Sequence, residues 1–361
     1  MQGPTAVMLA IIIIGLPTIM IMLIANRFFK FREKKLEIEA MNAAEKAAQY
    51  ASRSSELALR QARLVESALT ARGMACEIVP FKTTGDKRLD EPLSSIGGKG
   101  LFTRELEEAL AKGRVDCCVH SLKDLPTESP DGLTVMAILE REDPRDVLVV
   151  NDGIFAESIA DLPRGSRVGT SSLRRRAMLA NLRPDVDAVE LRGNVPTRLR
   201  KVDDGQVHAA ILAGAGLLRL GVHQRIDAWL EPPEWLPAAG QGAIAVQSRA
   251  DDEETTAILA PLDHAPTRVA VTAERTFLAG LEGGCQVPIG ALAADSSGSL
   301  VLHGLIAEVS GRRVLRGSVA VDPSCPAAAG EQLASMLLGE GAAEILAALR
   351  EKKRVPMPQP E

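Results

Sequence analysis

Three places in this 361-residue chain gather side chains able to do chemistry. The first is the segment 164–200, with Arg164, Arg167, Arg174, Arg175, Arg176, Arg183, Arg192, Arg198 and Arg200, no lysine and three acids. That is a local net charge of +6 in a chain of net charge −5. Guanidinium forks grip carboxylates and phosphates bidentately, and Thr170-Ser171-Ser172 opens a helix whose free N–H groups add to the attraction. A solvated helix face is the bland alternative, but all-arginine usage favours an anionic ligand. The second place is Lys123-Asp124, just after an apolar strand, where open α/β sheets collect ligands. A carboxylate there is either a turn residue or a general acid–base group. The third is Cys285 in GLEGGCQVPIG, a thiol between glycines and a proline and therefore in a loop.

The elements that must position these groups alternate in type. Ser54 and Ser55 cap a helix whose Ala58, Ala62, Val65 and Leu69 share one face, and Gly73 ends it. CEIVPFKTT reads as a strand, 85–100 as a polar Gly-rich loop, TRELEEALAK as a helix, and VDCCVHSL and VLVV as strands. The same order repeats through SRVGTSS, LRRRAMLANL, AVELRG, TRLRKVDDG and AAILAG. AIAVQS then returns to the first sheet. From about His264 a third unit runs helix, three strands and a closing helix from Gly330 to Arg350. This predicts two α/β domains and a smaller α+β domain. We divide the chain into 1–50, then 51–140 with 237–260, then 141–236, then 264–350.

Composition excludes several classes. A pI near 5.7 argues against nucleic-acid binding, and 3% aromatics leave little for stacking platforms. Five cysteines without regular spacing make no disulfide framework, and scattered Cys and His predict no metal site. IGGKGLF lacks the Ser or Thr of a phosphate loop, and LAGAGLLRLG has Arg219 where a dinucleotide fingerprint needs its third glycine. Residues 6–25 are uncharged, long enough for one transmembrane helix, and followed by Arg27, Lys30, Arg32, Lys34 and Lys35. This predicts a membrane anchor with the rest on the cytoplasmic, inner face. Residues 31–49 read as a charged juxtamembrane helix.

Taken in order, HSLKDLPT, VGTSSLRRRAML, LRGNVPTRLRK, LAGAGLLRLG, AAGQGAIAVQ and EGGCQVPIGA closely resemble the porphobilinogen deaminase (hydroxymethylbilane synthase) family, over residues 52 to 350. The resemblance implies two periplasmic-binding-protein-like α/β domains plus the small third domain. It implies a monomeric transferase of tetrapyrrole biosynthesis joining porphobilinogen units head to tail into linear hydroxymethylbilane, with release of ammonia. It also implies a dipyrromethane cofactor, made from the substrate and held by a thioether at Cys285. By motif, Asp124 matches the catalytic carboxylate. Lys123, Ser121, Ser172, Arg174, Arg175 and Asn194 match cofactor-holding groups, and Arg53, Ser55, Arg192, Arg198 and Arg219 match substrate-holding groups. Lys99 and Phe102 match the loop over the site. Two departures stand out: Glu56 replaces a family proline, and KAAQYAS is Ala-rich and a poor strand. They predict a damaged first strand in domain 1, with Arg53 and Ser55 disturbed. On that basis the alternative is an inactive, membrane-anchored ligand-binding module.

Overall fold

The structure, a computed structural model, describes residues 48–87, 101–281 and 287–354. The apolar run 6–25, Lys99 and Cys285 lie outside the described residues. The first lobe opens with β1 (Ala48–Arg53), α1 (Glu56–Thr70), β2 (Cys76–Phe81), α2 (Arg104–Ala111), β3 (Cys117–Ser121) and β4 (Leu133–Ile138). The second holds β5 (Asp146–Val150), β6 (Arg167–Gly169), α3 (Leu173–Leu182), β7 (Asp187–Val189), α4 (Val195–Asp203), β8 (Ala209–Ala213), α5 (Gly214–Leu220) and β9 (Ala228–Leu230). β10 (Ile244–Arg249) returns to the first lobe, followed by α6 (Glu253–Leu259). The third unit is α7 (Ala265–Gly280), β11 (Ile289–Ser296), β12 (Ser299–Ala307), β13 (Val314–Ala320), α8 (Pro326–Leu337) and α9 (Ala343–Arg354).

The two lobes share one plan. Their sheets run β2-β1-β3-β10-β4 and β7-β6-β8-β5-β9. In each, three parallel strands are followed by a strand antiparallel to both its neighbours, β10 in one and β5 in the other. These are the strands at which the chain enters each lobe from the other, so the connections 139–145 and 231–243 lie side by side as a hinge. Glu142 N–H donates to Gly242 O at 3.1 Å, tying one connection to the other. A Cβ on Gly242, whose φ is +88°, would sit 2.3 Å from the Glu142 carbonyl oxygen, so this close approach admits only glycine.

β1 corrects the sequence reading. AQYASR is a strand, parallel to β2 on one side and β3 on the other. The first lobe therefore begins inside the stretch assigned from sequence to a charged helix. The slot is central, so pairing on both sides and burial on both faces override the weak strand propensity of alanine. Tyr50 packs with Val65, Leu69 and Cys117, while Ala51, on the other face, lies under Leu106 and Leu110 of α2, where a larger side chain would crowd the helix. Glu56 occupies the first turn of α1, whose partial positive charge suits an acid, and Ser55 still caps that helix. Arg53 and Ser55 are thus held in place by the strand. Tyr50→Ala is expected to cost about 3–5 kcal/mol, as for large-to-small changes in a fully buried site; a midpoint in denaturant within error of the parent's would contradict this packing.

The third unit covers its antiparallel β11-β12-β13 sheet with α7 and α8 around Phe277, Leu302, Leu333 and Leu337. The closing helix expected from Gly330 starts earlier, at Pro326, and is broken near Gly341, where φ is +105°.

Candidate active site

Parallel strands deliver the first-lobe groups. β1 ends on Arg53 and β3 on Ser121, and the 3-10 turn Leu122–Asp124 carries Lys123 and Asp124 just beyond the sheet edge. Arg53, Ser55, Phe102, Ser121, Lys123 and Asp124 line one cavity of about 100 Å³, together with Gln61 and His120. Arg53 Nη1 lies 3.8 Å from Asp124 Oδ2, and the Arg53 guanidinium sits 4.2 Å over the Phe102 ring. Phe102 therefore reaches the cavity although the loop that precedes it lies outside the described residues. Gln61 Nε2 donates to Ser121 Oγ at 2.8 Å. Burial pushes His120 down to about 4, with Arg53 adding to the effect, so its imidazole is neutral.

The second-lobe groups come from the N-terminal turns of α3 and α4 and the end of α5. Ser172 and Asn194 are helix caps, accepting from Arg175 N and Thr197 N. Arg198 donates to Gly193 O at 2.8 Å. Burial, then the neighbouring Arg175 and Arg192, push Arg198 down to about 10, while Glu190 and Asp124 act the other way. Lys123, whose Nζ donates to Gln241 Oε1 at 3.1 Å, is pushed down to about 8 by burial and then by Arg175. Arg175 of the second lobe thus acts on Lys123 of the first, and Asp124 on Arg198. Lys123 and Asp124 of the first lobe thus lie within electrostatic reach of Arg175 and Arg198 of the second. A larger cavity of about 550 Å³ lies elsewhere, between Arg141, Arg145, Pro232 and Leu292, and none of the motif residues lines it.

The arginine-rich segment is not all ligand-directed, which corrects its reading as a single anion site. Arg183 is taken up by Asp185 and the carbonyls of Ile159, Ala160 and Leu162, and Arg176 donates to Ala188 O. Arg174 and Arg175 both pair with Asp146, whose side chain is fully buried and also accepts from Trp235 Nε1 and Gln241 Nε2. Arg174 gives its Nη1 to Leu236 O as well, so its visible work is internal. Arg219 reaches Gly242 O at the hinge, 2.6 Å away. Asp146, Gln241, Gln61 and His120 were not singled out from sequence. Gln241 and His120 lie inside AAGQGAIAVQ and HSLKDLPT, whereas Asp146 stands just before the VLVV strand, where nothing local marks it.

The charge of these side chains suits a carboxylate-bearing ligand. Arg175 opposes the charge on Lys123, and Arg175 and Arg192 oppose that on Arg198, an opposition that an arriving anion relieves. The Nε groups of Arg175 and Arg219 are buried without a hydrogen-bond partner among the described residues, the kind of donor a carboxylate oxygen satisfies. Asp124, Asp146 and Glu190 are the carboxylates that act on these cations. Fold and site together define a two-lobed α/β protein whose lobes are joined by paired connections beside a group of cationic side chains.

Comparison with known proteins gives the same class a family. The description "Porphobilinogen deaminase, dipyromethane cofactor binding domain" matches residues 49–257, and "Porphobilinogen deaminase, C-terminal domain" matches 269–339. The chain is 49% identical over 297 residues to a porphobilinogen deaminase of Syntrophobacter fumaroxidans, covering 82% of this chain and 95% of that one. It is 51% identical to that of Moorella thermoacetica, covering 82% and 94%. Among solved structures, a periplasmic substrate-binding protein of an ABC transporter from Coxiella burnetii is similar at 14% identity and a TM-score of 0.38, over 63% of this chain and 96% of that one. The chain belongs to the porphobilinogen deaminase family. It is a transferase of porphyrin biosynthesis with a dipyrromethane cofactor binding domain.

Proposed function

We propose that this cleft condenses porphobilinogen head to tail into linear hydroxymethylbilane with release of ammonia, Asp124 acting as the catalytic carboxylate. The observation that carries the assignment is the meeting of Asp124 and Lys123 from the first lobe with Arg175 and Arg198 from the second. Each pyrrole brings two carboxylates, so a growing chain needs several cations along its path. Lys123, Ser121, Ser172, Arg174, Arg175 and Asn194 hold the cofactor end; for Arg174, Ser172 and Asn194 that service goes through the pairs and caps described above. Arg53, Ser55, Arg192, Arg198 and Arg219 hold the substrate end, and Lys99 and Phe102 belong to the covering loop. Dipyrromethane, when bound through Cys285, supplies the pyrrole on which the chain is extended. Asp124 steadies the electron-poor methylene pyrrole left when ammonia departs, and it takes up and returns the proton.

Intact mass tests the assignment. Protein from a host able to make porphobilinogen should be heavier than its sequence by one dipyrromethane, and Cys285→Ser should remove the difference. An unmodified parental mass would overturn it. The inactive-module alternative rested on a damaged first strand, and β1 is an ordinary central strand in this fold.

We propose further that residues 6–25 anchor the catalytic part to the inner face of the plasma membrane and that the protein is a monomer. Support for the anchor is the uncharged run with its basic flank. Full-length protein is expected to pellet with membranes and resist carbonate extraction, while a chain starting at Met41 is expected to remain in the supernatant. Full-length protein in the soluble fraction without detergent would refute the anchor.

A further inference from the structure

We infer that Gln241 is a positioning residue for Lys123, holding its ammonium in register with the Asp146–Arg175 group at the point where the two connections between the lobes meet. The inference rests on the reading of Lys123 and Arg175 as carboxylate holders.

The amide of Gln241 uses both of its ends. Its Oε1 accepts from Lys123 Nζ at 3.1 Å, and its Nε2 donates at 2.7 Å both to Asp146 Oδ1 and to Pro144 O. Its backbone carbonyl accepts from Arg141 Nε at 2.8 Å. Arg141 in turn pairs with the fully buried Glu274 of α7, which also accepts from Gly240 N and Ala293 N. One side chain on the returning connection therefore touches the outgoing connection, the first residue of β5 and the lysine of the first lobe. Gln241 itself is 1% exposed, so water does not substitute for these partners.

The two ends differ in rigidity. On the Asp146 side, one carboxylate collects two guanidiniums, an indole N–H and the amide, all buried. On the Lys123 side, Gln241 itself contributes one bond, to a residue of a partly buried turn. Charge-assisted bonds are shorter and stronger than those to neutral groups, and several share one centre on the Asp146 side. A hinge rotation that carries Gln241 with Asp146 therefore changes the place and environment of Lys123 first. The groups facing Lys123 are Asp124 on its own turn, Asp146 on β5, Arg174 and Arg175 on α3, and Gln241. Arg275 of α7 holds the carbonyls of Leu122, Leu125 and Pro126 around that turn. Burial and Arg175 oppose the charge on Lys123 while Asp124 and Asp146 favour it, and the Gln241 Oε1 acceptor adds to the favouring side.

The experiment uses the full-length holoenzyme and its Gln241→Met and Gln241→Glu variants. Lys123 is titrated by NMR in lysine-labelled protein and assigned with Lys123→Arg. kcat and KM are measured against pH, and intact mass reports cofactor loading. In the parent, kcat/KM should fall on the basic side as Lys123 loses its proton, and the NMR titration gives the midpoint against which the variants are read. Gln241→Met, similar in length but without the amide, should lower the Lys123 midpoint and reduce kcat/KM at least tenfold near the parental midpoint, while the loaded mass persists. Gln241→Glu adds a carboxylate, so it should raise the midpoint and move the basic limb upward. If the midpoint is unchanged in Gln241→Met, the inference is wrong, whatever happens to stability, and Gln241→Met serves alone should the Glu variant not fold. If instead Lys123→Met keeps parental loading and turnover, it is the ligand reading of Lys123 that fails.

Discussion

Asp124→Asn is expected to fold and load its cofactor as the parent does, yet to turn over porphobilinogen about 10²–10³-fold more slowly, the scale seen when a group that stabilises transition-state charge is removed. The amide keeps the size of the carboxylate and can still hydrogen-bond. What it loses is the negative charge, which lies 3.8 Å from Arg53 and acts on Lys123 and Arg198, and which the proposed mechanism sets against the cationic pyrrole. The charge matters more once positive charge develops than when substrate merely binds, so kcat should fall and KM should change little. Arg192→Ala removes a carboxylate clamp and should show the opposite balance. Porphobilinogen consumption, measured on variants whose circular dichroism matches the parent, separates the two. Near-parental turnover in Asp124→Asn would remove Asp124 from the chemistry.

The second large effect belongs to stability. Asp146→Asn should lower the free energy of unfolding by about 3–5 kcal/mol, the cost of breaking a buried ion pair by removing one partner. Arg174 and Arg175 would then face each other across a neutral amide, and because its NH2 cannot accept, either the Trp235 or the Gln241 N–H would lose its acceptor as well. Burial alone would raise the Asp146 pKa, but the two arginines outweigh it and hold the carboxyl well below its ordinary 3.8. The unfolded chain therefore binds the extra proton, and stability rises with pH through that window. The contribution is complete above roughly pH 5 and is lost as pH falls through the ordinary carboxylate range and below it. Denaturant unfolding at pH 7 and pH 3 measures both points: the gap between parent and variant should be large at the first and smaller at the second. Equal stability at pH 7 would show that the arginines find other partners.

Much of the site was legible in residue order because its positions are set locally. Asp124 follows a strand by three residues, and Ser55, Ser172 and Asn194 stand where helices begin. Such features depend on a dozen neighbours at most, through periodicity and capping. Charge counting was less faithful. Nine arginines signalled an anion site, yet Arg174, Arg176 and Arg183 are committed to an internal carboxylate or to carbonyls far along the chain. A count of charges in a window carries no record of where their partners lie.

The sequence by itself determined the alternation of strands and capped helices, the return of the chain to its first sheet, the placing of a lone aspartate at a strand end, and the resemblance to the porphobilinogen deaminases. The tertiary structure decided the rest. β1 became a strand because β2 and β3 pair with it on both sides and Ala51 is buried against Leu106 and Leu110 of α2, contacts that outweigh alanine's own preference. Lys123 met Gln241 across 118 residues and Gln241 met Asp146 across 95. Pairings at that separation are set by how two lobes close on a hinge, and a burial that forces every charge to find a partner then chooses among the few within reach.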